Sequence, residues 1–175
     1  MSLDFNAVFA LGPGFRGAGS LRDELATEPA AIRGVVERYR ARWRAQTWTL
    51  EEPDETRTTI VGPGGFALTV SLRAISLYHV VRFRDFTAED EERQLLRCAC
   101  LAIATIVGSP RVIYKHELLP DGFHEGLDLD GIEAVLRAKF GPPSVTFTAL
   151  AAAEEYGPGC WYIDDLADLG DHASR

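Results

Sequence analysis

The stretch GPGGFALTVSLRAISLYHVVRF, residues 62–83, is rich in strand-forming side chains, and its apolar residues change phase half-way along. Phe66, Leu68, Val70 and Leu72 occupy even positions, whereas Ile75, Leu77, Val81 and Phe83 occupy odd ones. Side chains of a strand alternate between faces with a period of two, and an undisturbed strand cannot switch phase. A bulge or a tight turn is therefore expected near Arg73 and Ala74. Gly62, Pro63, Gly64 and Gly65 supply another turn just before this run. The β-rich segments Thr47 to Glu51 and Arg57 to Val61 precede it, so the whole reads as a meander.

Helical patterns lie on both sides. Upstream, Phe5 to Leu11 reads as a short strand, followed by a Gly-rich loop and a helix whose clean part begins near Pro29. In that helix Ile32, Val35, Val36, Tyr39 and Trp43 share one arc, flanked by Arg33, Arg38, Arg40, Arg42 and Arg44. Downstream, Thr87 with Asp90 resembles a capping box, Glu89 to Glu92 suit the positive end of a helix dipole, and Gly108 and Pro110 end the element. Leu95 to Val107 is apolar nearly all round, apart from Arg97 and Thr105, which predicts a central helix. Arg111 to His116 reads as a strand. Asp130 with Glu133 signals a third helix, carrying Ile132, Leu136 and Phe140 and ending at Gly141. Val145 to Leu150 reads as a strand, Cys160 to Ile163 as another, and Asp164 to Leu169 as one or two helical turns. Grouped strands with packed helices predict an α+β fold: one domain over residues 1–175, a mainly antiparallel or mixed sheet, and about three helices packed on it.

A chain of 175 residues can bury roughly 70% of its unfolded surface, and a 46% hydrophobic, 25% charged composition is that of a globular protein. The net charge of -8 is unevenly placed. Residues 1–84 hold 11 basic and 9 acidic residues, a net of +2; residues 85–175 hold 7 and 17, a net of -10. Such acidity argues against a nucleic-acid partner, which calls for a basic surface. The longest apolar run, Cys98 to Val107, falls short of the roughly 18 to 20 residues that span a bilayer, so no membrane partner is expected. Three cysteines, Cys98, Cys100 and Cys160, and a start carrying Asp4 where a signal peptide is basic, predict a cytoplasmic protein without disulfides.

Gly12, Gly14 and Gly17 match a dinucleotide-binding GxGxxG pattern between a strand and a helix. Pro13 removes one amide donor, and the acid ending the next strand, Glu51, lies 34 residues beyond Gly17 rather than about 20. Gly-Pro-Gly also recurs at 62–64 and 157–159, so the string reads as a turn and no cofactor is expected. His116, Glu117, Asp121, His124 and Glu125 put imidazoles and carboxylates within ten residues. That supports an enzymatic alternative, a small metal-assisted hydrolase with His116, His124 and Glu125 as candidate catalytic groups and His116, Asp121 and His124 as candidate metal ligands. The spacing is not that of HExxH, because Leu119 to Gly122 reads as a turn, and an exposed polar loop is the preferred reading of these residues. His79, on the apolar phase of its strand, reads as a hydrogen-bonded core histidine. Cys98 and Cys100, two apart on a helix, face different ways and read as packing residues. The arginines of the second-quarter helix read as a solvated face.

The C-terminal segment places Tyr156, Trp161 and Tyr162 among Glu154, Glu155, Asp164, Asp165, Asp168 and Asp171. Aromatic anchors among steering acids suit a surface for a basic protein partner, with Tyr156, Trp161, Tyr162, Asp164, Asp165 and Asp168 as its contact residues. The competing reading docks these aromatics on the chain's own core. A single acidic α+β domain with such a segment resembles, at the level of class, the small cytoplasmic immunity proteins that bacteria make against toxins. The resemblance implies a non-enzymatic inhibitor that neutralises a toxin or enzyme domain by direct binding. It carries no residue-by-residue correspondence, and the +2 first half departs from uniformly acidic examples. A homo-oligomer face would look the same in sequence.

Overall fold

The phase change at residues 73–74 is a tight hairpin turn. The computed structural model, which describes residues 3–117 and 126–172, has strand β4 at Phe66–Val70 and β5 at Ala74–Arg82. Between them Ser71 Oγ donates to Ala74 O (3.0 Å) and accepts from Ala74 N (3.2 Å). Reversal of the chain explains the switch of parity: Phe66 pairs with His79, Leu68 with Leu77 and Val70 with Ile75, all buried on one face. Strand β2 (Thr49–Leu50) and β3 (Thr58–Val61) extend this meander, as their sequence suggests.

Strand β1 (Asp4–Ala10) lies between β5 and β6 (Arg111–His116), and β7 (Tyr162–Asp165) closes the other edge. Among the described residues the sheet has seven antiparallel strands in the order β2-β3-β4-β5-β1-β6-β7, so the fold is α+β. Alternation along β1 feeds two cores. Phe5, Ala7 and Phe9 enter the larger one, shared with helices α1 (Ala18–Ala26), α2 (Ala30–Tyr39), α3 (Phe83–Ala88) and α4 (Asp90–Val107). Val8 faces the smaller core, where α5 (Leu129–Phe140) contributes Leu129, Ile132 and Leu136. Helices α6 (Phe147–Ala152) and α7 (Leu166–His172) flank β7.

Seven helices among the described residues exceed the three expected, although α2, α4 and α5 are the expected ones. The strand expected at Val145 to Leu150 is instead helix α6, capped by Thr146, whose side chain accepts from Ala149 N at 3.1 Å. A helix competes well there because Ala149, Ala151 and Ala152 are good helix formers. Thr87 does not cap α4. It lies inside α3, its hydroxyl donates to Arg84 O, and Glu89 occupies the cap position without a side-chain bond. Gly108 ends α4 in the left-handed conformation, φ 72°, as expected. Trp43 falls outside α2, which stops at Tyr39 and passes into a short 3-10 turn, Arg40–Arg42. Asp128, rather than Asp130, caps α5 by accepting from Gly131 N.

Of the three GxGxxG glycines only Gly12 is required by packing; Gly14 and Gly17 have open space around them, and Gly17 precedes α1 with φ 99°. A Cβ on Gly12 would lie 2.4 Å from Gly108 O, so β1 and the end of α4 meet backbone to backbone. Among the described residues no helix is long and apolar enough to cross a membrane.

Candidate functional site

Strand β7 decides the fate of the acid–aromatic segment, because alternation sends neighbouring residues into different cores. Trp161 is 0% exposed, its Nε1 donates to Gly141 O (3.2 Å), and the Arg137 guanidinium lies 5.7 Å from its ring. Asp164 is 3% exposed on the opposite face. It accepts from Arg97 Nε and Nη2, both at 2.7 Å, and from the Tyr114 hydroxyl at 2.9 Å. Trp161 and Asp164 therefore leave the set of surface contact residues: both are interior. A bidentate guanidinium makes such a carboxylate tolerable inside, and the same contact raises the Arg97 pKa above its ordinary value. Tyr162 is half-buried and stacks on Phe147 at 4.2 Å; Phe147 in turn lies beneath Arg93 and Arg97. Asp165 is half-buried and accepts from Ala167 N, whereas Asp168 is exposed. Tyr156, 52% exposed, keeps a surface position beside Glu154 and Glu155.

His116 ends β6 and is almost wholly buried. Its Nε2 lies 2.9 Å from Glu155 O, an atom that can only accept, so Nε2 carries the proton and donates. Nδ1 is buried without a hydrogen-bond partner among the described residues. Phe83 and Tyr156 pack edge-on against the ring, at 6.0 and 5.1 Å. Burial pushes the pKa of His116 down, which keeps the imidazole neutral and leaves a lone pair on Nδ1. Beside it lies a cavity of about 570 Å³, lined among others by Arg82, Phe83, Arg84, Leu150, Glu154 and Glu155.

Asp121, His124 and Glu125, the other members of the metal and hydrolase candidates, lie outside the described residues. Among the described residues no group of three His, Cys, Asp or Glu side chains is placed to hold a metal ion. His79 is satisfied at both nitrogens: Nε2 donates to Gly64 O at 2.7 Å and Nδ1 accepts from Val81 N at 3.2 Å. Burial lowers its pKa to about 4. Cys100 is buried, with its thiol pKa raised by burial, and Cys98 is half-buried beside Gln94. Arg82 and Arg84 went unnoticed in the sequence, where they look like an ordinary strand end; only the turn from β5 into α3 brings them to the cavity.

Comparison with protein-family models, with curated proteins and with solved structures finds no match.

Proposed function

We propose that this chain is a non-enzymatic protein-binding module of the immunity type, acting in the bacterial cytoplasm by covering a basic surface of a toxin or enzyme domain. The supporting observation is the exposed run Glu154, Glu155, Tyr156 on the loop after α6. Neither glutamate side chain has an ion pair or hydrogen bond among the described residues, in contrast to Asp164, Glu133 and Glu92, which arginines neutralise. Unpaired carboxylates beside an exposed ring can steer and then anchor a cationic partner. Asp165 and Asp168 extend the negative field along β7 and α7. Cytoplasmic action fits three cysteines that form no disulfide.

The experiment is direct titration of the purified chain with each purified product of the neighbouring genes. The proposal expects one binary complex whose affinity falls with added salt, and falls about tenfold or more in the double variant Glu154→Lys, Glu155→Lys. Absence of any such complex, or one indifferent to both salt and charge reversal, overturns it.

A metal-assisted hydrolase is favoured by one observation, the buried Nδ1 of His116 that has no hydrogen-bond partner among the described residues. Stoichiometric transition metal in the purified chain, lost in His116→Ala, would support that reading; metal-free protein counts against it.

A further inference from the structure

The cavity beside His116 is walled by unlike charges that do not meet. Arg82 ends β5 and Arg84 lies in the first turn of α3; Glu154 and Glu155 face the same space from the loop after α6. All four are exposed, and among the described residues none of their side chains forms an ion pair or hydrogen bond, with each other or elsewhere. Elsewhere Arg38, Arg93, Arg97, Arg111 and Arg137 hold carboxylates, so opposite charges that share one space in this molecule commonly close on each other. Two guanidiniums and two carboxylates lining one space without closing on each other form a gap with a cationic and an anionic side.

We propose that this cavity binds a small zwitterion of the free amino acid or dipeptide class. The ligand carboxylate meets Arg82 and Arg84, its ammonium meets Glu154 and Glu155, and its side chain lies against Phe83 and Leu150. A simple anion would face two glutamates and a simple cation two arginines, so only a molecule bearing both charges complements the whole lining. The volume, about 570 Å³, falls among ordinary small-molecule sites and accommodates an amino acid or a dipeptide. His116 closes one wall, its ring held between Phe83 and Tyr156, which makes its imidazole a reporter of occupancy. The inference does not rest on the partner-binding reading.

The test is an NMR titration of the full chain, isotope-labelled, with each proteinogenic L-amino acid and with glycyl-leucine. For the tightest binder, the N-acetyl and carboxamide derivatives follow. Expected are saturable shifts at Arg82, Arg84, Glu154, Glu155 and the His116 ring, with both derivatives bound about tenfold more weakly or worse. Arg84→Gln should abolish the distinction between the amino acid and its carboxamide, and Glu155→Gln that between the amino acid and its N-acetyl form. A dipeptide that binds where no free amino acid does places the ligand in the peptide class. No saturable shift at millimolar ligand, or equal binding of both derivatives, overturns the proposal. The derivative comparison on the unmodified chain decides even if a variant fails to fold. With no partner protein in the sample, a negative result leaves the partner-binding reading standing.

Discussion

His79 and Asp164 show how a polar side chain is accommodated inside this protein. The His79 imidazole is neutral in the fold because burial disfavours its charge and because Nδ1 must accept from Val81 N. The unfolded chain takes up that proton near pH 6.5, the folded chain only near pH 4. Stability contributed by this residue is therefore complete above pH 6.5 and is lost as pH falls towards 4, by about 3 kcal/mol. His116, whose pKa burial also lowers, adds a loss of the same sign. Denaturant unfolding from about pH 7 to about pH 4, with an imidazole titration of His79 by NMR, measures both effects. Asp164→Asn should cost about 3 kcal/mol, because it leaves Arg97 partly buried without its counter-charge. Replacing both residues, Arg97→Met with Asp164→Leu, should cost less than the single change, and a double-mutant cycle in urea checks this. The role of His79 was legible from its place on an apolar phase. That of Asp164 was not: an aspartate reads as surface unless its partner is known, and Arg97 stands 67 residues away in sequence.

At the scale of elements, apolar periodicity placed β1, the meander, α2, α4, β6 and α5, since each has a long or regular pattern. Short elements are less well defined: β7 and α7 begin two residues later than the pattern suggests, and α6 reads as a strand. Segment 145–150 has β-branched residues and alternation enough for a strand, and only the Thr146 cap with the following alanines makes it helix α6. Thr146→Ala should accordingly destabilise by about 1 kcal/mol, read as a shift of the unfolding midpoint with unchanged slope. The joint between β1 and α4 is more sensitive. Gly12→Ala forces a methyl group onto the Gly108 backbone and should cost about 1 to 3 kcal/mol, whereas alanine at Gly14, with open space around it, should change little. Thermal unfolding of the two variants side by side tests that difference.

For the molecule as a whole, β1 is the structural axis: both its edges are hydrogen-bonded and both its faces are buried. Its amides, with those of β5, should exchange with solvent only through global unfolding, and those of the two-residue edge strand β2 fastest among the strands, as hydrogen exchange followed by mass spectrometry would show. Hydrophobic spacing determined the class of the fold and the identity of most of its core, because a strand face or helix stripe must be covered whatever covers it. The -10 of the second half was also plain in the sequence, but its meaning was not. Tertiary structure divided those acids: Asp164 was turned inward to Arg97, Asp130 and Glu133 were tied to Arg111, and Glu154 and Glu155 line a cavity with no ion pair among the described residues. Pairing and burial depend on which distant residue lies opposite in space, and a one-dimensional pattern holds no record of that.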